Sequence, residues 1–204
     1  MRMPRLFRDR RGTTIVEFAM VLPVMLALLM GLGELAYTAY VRVILSGAMQ
    51  KAARDSTLED STGQADAIDA KVIAAVRAVA SKATYVATRK SYQQFGYISG
   101  EPFTDSNDDG ICNKNEPYSD VDESGSWTAD LGASGQGGAS DATVYTMVVN
   151  FPHLFPVAKI VGIRGDVQLT STVVLKNQPY GSQTLRTYTV NGVKTTTPPQ
   201  KNCP

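Results

Sequence analysis

Residues 105–116 carry oxygen-bearing residues at the spacing of a calcium-binding loop. In such a loop, side-chain oxygens stand at positions 1, 3, 5, 9 and 12, glycine turns the chain at position 6, and position 7 offers its backbone carbonyl. The predicted ligands are Asp105, Asn107, Asp109, Ile111 through its carbonyl, Asn113 and Glu116. Calcium takes about 6–8 oxygens, so this segment predicts one bound calcium ion. The alternative is a solvated acidic loop without metal.

Residues 101–110, which include the start of this loop, recur fifteen residues later as residues 116–125. Each copy runs Glu-Pro-aromatic-hydroxyl-Asp and reaches Gly five residues after that Asp. Position 12 of the second copy is Leu131, which has no side-chain oxygen, so its metal signal is weaker. A possible second metal would be held loosely by Asp120, Asp122 and Ser124, unless these residues help to close the first site.

The acidic insertion, residues 101–130, holds nine acids and one lysine, a net charge of −8. Pro102 and Pro117 stand beside the loops, and proline disfavours helix interiors. We therefore expect calcium loops without flanking helices, which would act as a structural clamp and not as a sensor.

Hydrophobic periodicity predicts the elements that position these loops. Apolar residues at three- and four-residue steps predict a helix over residues 65–89, after a first helix that extends to about residue 58. Segments 143–151 and 167–175 are rich in β-branched residues and predict strands. Asn191-Gly192 predicts a type I′ hairpin, and residues 154–163 a short helix. The predicted fold class is α+β, with a small antiparallel sheet packed on helices.

The N-terminal region has the charge pattern of a membrane anchor. Residues 1–12 contain five arginines and one aspartate, and residues 18–33 carry no charge. A helix over residues 13–41 would be about 43 Å long, more than the roughly 30 Å hydrocarbon core. The arginine cluster predicts a cytoplasmic N-terminus and an exported C-terminal part. Glu17 lies just inside the apolar segment, where a lone carboxylate requires a partner.

The run Gly12-Thr13-Thr14-Ile15-Val16-Glu17, followed by an apolar helix, resembles the cleavage region of prepilins. Continued through Pro23, the segment is similar to the TadE-like minor pilins of the tight-adherence (Tad) pilus. The resemblance implies cleavage between Gly12 and Thr13 by a prepilin peptidase. It also implies charge pairing of Glu17 with the new α-amine at Thr13 during assembly.

The resemblance further implies an organisation and a location. Residues 1–12 would be a cytoplasmic leader, 13–41 a transmembrane helix, and 42–204 a periplasmic pilin-like head with the calcium-loop insertion 101–130. The protein would lie in the bacterial inner membrane as a single-pass protein, and enter an extracellular pilus with an adhesive role. Its partners would be other pilins and the inner-membrane assembly platform. Two alternatives remain: a membrane-anchored periplasmic calcium-binding module outside any filament, and a type II secretion pseudopilin.

The remaining chemistry-bearing residues indicate a structural protein. Cys112 and Cys203 predict a disulfide in an oxidising compartment, with two separate thiols as the alternative. His153 has no nucleophile motif near it, and the sequence shows no phosphate loop or zinc spacing. We therefore expect no enzyme activity. The overall charge of +1 gives no sign of nucleic-acid binding.

Overall fold

A computed structural model describes most of the chain. The described residues are 11–57, 64–156, 158, 162, 165–178, 181, 183 and 185–204. Within these described residues two α-helices precede eight strands, a short 3-10 helix (Phe95–Tyr97) follows the first strand, and the α+β prediction is confirmed. The helices are α1 (Arg11–Ser56) and α2 (Ala65–Arg77). The strands are β1 (Thr84–Tyr92), β2 (Pro117–Ser119), β3 (Ala133–Ser134), β4 (Ala142–Phe151), β5 (Val167–Lys176), β6 (Tyr188–Val190), β7 (Val193–Thr195) and β8 (Gln200–Asn202).

The main sheet has the strand order β3-β1-β4-β5, with antiparallel neighbours throughout. Its central strand β4 alternates strictly between buried and half-buried residues from Thr143 onward. The buried face of β4 presents Tyr145, Met147, Val149 and Phe151 to the helices. This alternation is the expected consequence of side chains pointing to opposite faces of a strand. One face of the sheet therefore forms the floor of the core.

The C-terminal half of α1 and helix α2 cover this face of the sheet and form the other side of the core. Val41, Leu45 and Met49 are each at most 1 % exposed, although they continue the same helix as the exposed N-terminal half. From α2, Val72 and Val76 point into the same cluster. Because these residues recur at three- and four-residue steps, each helix buries a single stripe.

Helix α2 ends at Arg77, twelve residues before the predicted end at residue 89. The prediction was wrong over the last part of this segment, which forms β1. Thr84, Val86 and Thr88 are β-branched, and pairing with β4 rewards extended backbone there. The apolar spacing that suggested a longer helix is also compatible with a strand, since short apolar runs do not distinguish the two.

The strand predictions over residues 143–151 and 167–175 are confirmed within one residue, as β4 and β5. The first hairpin strand, predicted from Leu185 to Val190, begins only at Tyr188. The predicted hairpin forms between β6 and β7, and Asn191 and Gly192 both have positive φ, 52° and 78°. Two positive φ values are what a type I′ turn requires. The predicted short helix over residues 154–163 lies largely outside the described residues.

The buried carboxylate of Asp69 links α2 to two strands of the main sheet. Asp69 of α2 accepts two hydrogen bonds from the Arg89 guanidinium of β1, at 2.6 and 3.1 Å. Tyr145 of β4 donates its hydroxyl to the same carboxylate, and Arg89 stacks 4.0 Å above the Tyr145 ring. Burial and the Asp69 charge raise the pKa of Tyr145 well above its usual value. This pairing satisfies a charge that would otherwise be costly to bury.

Candidate functional site

The first acidic loop, residues 105–116, closes around the carboxylate of Asp105. Its Oδ2 accepts the backbone N–H of Gly110 at 2.7 Å, and its Oδ1 accepts those of Asn107 and Asp109 at 3.3 Å. Gly110 has a φ of 74°, a left-handed conformation that glycine adopts without strain. The predicted positions 1 and 6 thus meet as the motif requires.

The predicted ligands Asn107 and Asn113 converge on Asp109. Both side-chain amides donate to Asp109 Oδ2, at 2.9 and 2.6 Å, while Asp109 Oδ1 accepts the N–H of Ile111. These hydrogen bonds lower the pKa of Asp109, first of all the one from Ile111. Asn107 and Asp109 are exposed.

Glu116, the predicted ligand at position 12, is 5 % exposed and is held by backbone donors. Its Oε1 accepts the N–H of Ser106, and its Oε2 that of Asn113, both at 2.8 Å. The glutamate at position 12 therefore links positions 2 and 9 of its loop by accepting a backbone hydrogen bond from each. Each of its oxygens keeps unused lone pairs, so these bonds are compatible with a role as a ligand.

The second acidic loop, residues 120–131, repeats the turn of the first. Asp120 Oδ2 accepts the N–H of Gly125 at 3.2 Å, as Asp105 does from the corresponding glycine of the first loop. Asp122 Oδ1 accepts the N–H of Ser124, and Ser124 Oγ that of Ser126. The three residues predicted for a possible second metal therefore line one turn.

Glu101 completes the second acidic loop, a role that the spacing of the loop motif does not indicate. Its Oε1 accepts the N–H of Val121 at 2.6 Å, and its Oε2 that of Thr128 at 2.9 Å. Val121 and Thr128 stand at positions 2 and 9 of their loop, the positions that Glu116 holds in the first. Position 12 of the second loop is Leu131, which has no side-chain acceptor. Glu101, nineteen residues before Asp120 in the chain, accepts the hydrogen bonds that a glutamate at position 12 would accept.

The two copies face each other across a short antiparallel bridge between Phe103 and Tyr118. Reciprocal backbone hydrogen bonds flank the bridge. One runs from Thr104 N to the carbonyl of Pro117, and the other from Ser119 N to the carbonyl of Pro102, both at 2.9 Å. Because the copies are antiparallel, Glu101, which opens the first copy, reaches the second acidic loop. Glu116 opens the second copy and is also position 12 of the first loop. The reach of Glu101 follows from tertiary contacts, whereas the place of Glu116 follows from the loop motif.

Burial differs sharply between the loops. In the second, the carboxyl oxygens of Glu101, Asp120 and Asp122 lie within 4.8 Å of one another. Glu101 is 1 % exposed and Asp120 is fully buried. Burial raises the pKa of Glu101, against the opposing effect of its backbone hydrogen bonds. Lys201 approaches from β8 and places its Nζ 2.6 Å from Asp120 Oδ2.

The C-terminal tail ties both loops together. Cys112 and Cys203 lie at disulfide distance, with Cα atoms 5.6 Å apart, as predicted. Cys203 N also donates to the carbonyl of Glu116 at 2.8 Å, and β8 pairs with β2 between the loops. The tail therefore contacts the first loop through its cysteine and the second through Lys201.

The N-terminal half of α1 presents its apolar residues outward. Ile15, Met20, Leu28 and Leu35 are each about 70 % exposed or more. The helix from Thr14 onward is long and apolar enough to cross a membrane, by length and composition, and fits a single-pass anchor. Residues 1–10 of the predicted leader lie outside the described residues. The backbone of Gly12 and Thr13 belongs to the first turn of α1, and Glu17 is exposed on this surface.

Comparison with protein families identifies this helix. Residues 12–54 match the family model described as TadE-like protein. The chain is TadE-like over α1. The match supports a Tad pilus-associated protein, and it stops before α2. Searches for similar curated proteins and similar solved structures gave no match.

The TadE-like helix carries a second carboxylate, Glu34, which anchors a loop of the head. Its Oε2 accepts the backbone N–H of Leu154 and of Phe155, both at 3.0 Å, and its Oε1 lies 3.0 Å from His153 Nδ1. The Phe155 ring fills the space where a Cβ on Gly33 would come within 2.9 Å. Gly33-Glu34 is thus a docking point between the anchor and the head, and its signal in the sequence was a charge directly after an uncharged run.

Proposed function

We propose that this protein is a minor pilin or pseudopilin that takes part in Tad-type pilus assembly. The observation that carries the proposal is the coincidence of the TadE-like match with α1, a helix of two halves. One half is buried in the head at Val41 and beyond, and the other exposes apolar residues up to Leu35. An exposed apolar surface of this length needs a second apolar environment. The lipid bilayer supplies it before assembly, and neighbouring pilin helices supply it within a filament.

The proposed processing step is cleavage between Gly12 and Thr13 by a prepilin peptidase. Cleavage removes the basic leader and creates an α-amine, which is charged near neutral pH. Glu17 is exposed and so remains free to meet such an amine on a neighbouring subunit. Pairing would cancel two charges in an apolar filament core and fix the register of the subunits.

Mass spectrometry of the N-terminus of protein isolated from its native membrane tests the processing step. A mature chain that begins at Thr13 supports the prepilin assignment. A chain that keeps residues 2–12 overturns it and favours an anchored module outside any filament. Co-purification with Tad components, as opposed to type II secretion components, separates the two filament systems.

Glu17 variants test the pairing step. We expect Glu17→Val to insert normally into the membrane and to lower incorporation into the pilus, whereas Glu17→Asp, which keeps the charge, retains part of it. The measurement is the ratio of sheared pilus fraction to membrane fraction by immunoblot. Equal ratios for Glu17→Val and the native protein would contradict the pairing.

Calcium binding by the first acidic loop is the stabilising part of the proposal. Its support is the convergence of Asp105, Asn107, Asp109 and Asn113 around one turn. The donors are all oxygen-bearing, which suits a hard cation such as calcium. Calcium would cross-link a loop that is otherwise exposed and highly acidic. We expect chelation to lower the thermal unfolding midpoint, and Asp105→Asn to remove that dependence on calcium at this loop.

A further inference from the structure

The second acidic loop contains buried oxygens that lack partners. Asp120 Oδ1 and Tyr118 Oη are buried and accept or donate no hydrogen bond among the described residues. Both residues are 0 % exposed. A buried polar atom without a partner is destabilising, so native structures rarely keep one unless something else satisfies it. The carboxylate of Asp120 also has an oxygen within 4.8 Å of one carboxyl oxygen each of Glu101 and Asp122.

The charges of this cluster do not balance. Three carboxylates, those of Glu101, Asp120 and Asp122, lie within 4.8 Å of one another, and Lys201 supplies one positive charge to Asp120 Oδ2. The neighbouring guanidinium of Arg186 donates to the carbonyl of Val121. With the three acids ionised, the cluster keeps a charge of −2 that no described contact offsets. A divalent cation has the charge that would neutralise it.

We propose that the second acidic loop is a second calcium site, completed by Glu101 from the first copy of the repeat. Asp120 through Oδ1, Asp122 and Glu101 would supply the acidic oxygens. Thr128 at position 9 directs its hydroxyl to Asp122 Oδ2 at 2.8 Å and lies at the edge of the same group. The donors are all oxygen-bearing, which favours calcium over zinc. Lys201 would then be a neighbour that weakens binding and not the only counter-ion.

This site differs from the first in how it is built. The glutamate of the first loop, Glu116, belongs to that loop. The glutamate of the second site, Glu101, lies outside loop 120–131 and is positioned by the Phe103–Tyr118 bridge. Binding at the second loop would therefore tie the two copies to each other. The inference does not depend on metal binding at the first loop or on entry into a pilus.

Trp127, the single tryptophan, makes the site directly observable. Its Nε1 donates to the carbonyl of Glu101 at 2.9 Å, and it immediately precedes Thr128. Terbium substitutes for calcium at oxygen sites and luminesces when a nearby excited tryptophan transfers energy to it. The experiment is a terbium titration of the chelator-treated full chain in detergent, with excitation of Trp127 and back-titration by calcium.

We expect tryptophan-sensitised luminescence in the native protein, and its loss on addition of calcium. Asp120→Asn should abolish most of the signal, while the matched variant of the first loop, Asp105→Asn, should leave it. Circular dichroism and an intact Cys112–Cys203 pair establish that each variant is folded. A native protein without luminescence, or a signal that Asp105→Asn removes and Asp120→Asn does not, would overturn the proposal.

If Asp120→Asn fails to fold, the charge variant Lys201→Met tests the same site. Lys201 is partly exposed and contributes no proposed ligand, so Lys201→Met should fold. Because it removes a positive charge beside the ion, it should tighten calcium binding at this site by about tenfold or more. An affinity unchanged by Lys201→Met would show that the ion binds elsewhere and would also overturn the proposal.

Discussion

The two acidic loops share one turn but differ in where their glutamate comes from and in how deeply they are buried. In the first loop, Glu116 is local and most of the acidic turn is exposed. In the second, Glu101 arrives from the other copy, and Asp120 lies fully buried beside Tyr118. The loop with the complete motif is thus the more solvated of the two. The loop with the incomplete motif is the one whose first carboxylate, that of Asp120, is fully buried.

This contrast teaches that a metal-loop motif reports ligand order and not burial. A motif of local residues can form on any exposed turn, because each ligand is a few residues from the next. A site that draws on two copies needs the bridge and the tail to hold it. The second loop therefore depends more strongly on the rest of the head, and the following predictions test that dependence.

Removal of the Cys112–Cys203 pair should have the largest effect. The two cysteines are separated by 91 residues. A disulfide over that span contributes about 4–5 kcal/mol in the chain-entropy model, and often less in practice. The double variant Cys112→Ser/Cys203→Ser should lower the unfolding free energy accordingly, measured by denaturant titration of the full chain in detergent.

The native protein under reducing conditions is the control for the cysteine variant, and both should unfold at the same denaturant concentration. Loss of the pair should also free β8, and with it the Lys201 contact to the second loop. If Trp127 fluorescence were unchanged in the folded variant, the tail would not couple the two loops.

The two glutamates should differ in their contribution to stability. Glu101 accepts three backbone hydrogen bonds, from Val121, Asp122 and Thr128, whereas Glu116 accepts two. Hydrogen bonds to charged groups contribute about 1.5–3 kcal/mol each in favourable cases, and glutamine satisfies only part of them. With calcium bound, so that the ion offsets the charge of the cluster, Glu101→Gln should destabilise by about 2–3 kcal/mol and Glu116→Gln by about 1–2 kcal/mol.

Thermal and denaturant unfolding of both glutamine variants, in parallel, give this comparison. The order of the two losses is the informative result. A larger loss for Glu116→Gln would mean that the local glutamate is the stronger structural element, and would reverse the contrast between the loops.

The two turn glycines offer a matched pair with a smaller expected effect. Gly110 and Gly125 have φ values of 74° and 82°. Alanine in this conformation costs about 1–2 kcal/mol. A Cβ on Gly125 would also lie 3.3 Å from Lys201 Nζ, whereas one on Gly110 would meet no atom within 4 Å. We expect Gly125→Ala to be the more destabilising by a few tenths of a kcal/mol, because Lys201 must shift.

Unfolding midpoints of Gly110→Ala and Gly125→Ala check this order, and Gly125→Ala combined with Lys201→Met supplies the control. If Gly110→Ala and Gly125→Ala lower the stability equally, and Lys201→Met does not change the loss caused by Gly125→Ala, the backbone conformation accounts for the whole effect.

The smallest effect concerns Asp130 at position 11 of the second loop, where the first loop has Asn115. The ion pair with Lys90 and the hydrogen bonds from Gly132 and Tyr92 lower the pKa of Asp130 to about 2. Its stabilising contribution is therefore present above its unfolded pKa of about 3.9 and is lost as the pH falls toward 2.

Acid unfolding of the native protein and of Asp130→Asn gives the measurement. The variant should be slightly less stable near pH 5, and the two proteins should converge as the pH approaches 2. Because this ion pair is nearly half exposed, solvent screening keeps the difference small. Parallel stability curves over this pH range would contradict the lowered pKa.

The sequence predicted those features whose residues are neighbours in the chain. The first acidic loop, the Asn191-Gly192 turn and the apolar anchor each depend on local spacing or composition. The TadE-like resemblance belongs to the same class, since it lies within α1. The cysteine pair was also predictable, because two cysteines leave a single possible intramolecular pairing.

The sequence failed where local signals were compatible with two structures. Thr84 to Arg89 continue an apolar spacing that suits a helix, but pairing with β4 makes them a strand. Tertiary pairing decides such segments because the difference in local propensity is well below the gain from a sheet partner and a buried face.

The sequence by itself determined the apolar N-terminal helix and the α+β class, because short-range periodicity encodes both. The calcium role of the first acidic loop stays a prediction from ligand order. Only the tertiary structure decided that Glu101 belongs to the second acidic loop and that Glu34 holds the head against the anchor. Glu101 is separated from Asp120 by nineteen residues, and Glu34 from Leu154 by 120. The physical reason is that a carboxylate binds whatever donors the fold brings to it, and neither pair is close in the chain.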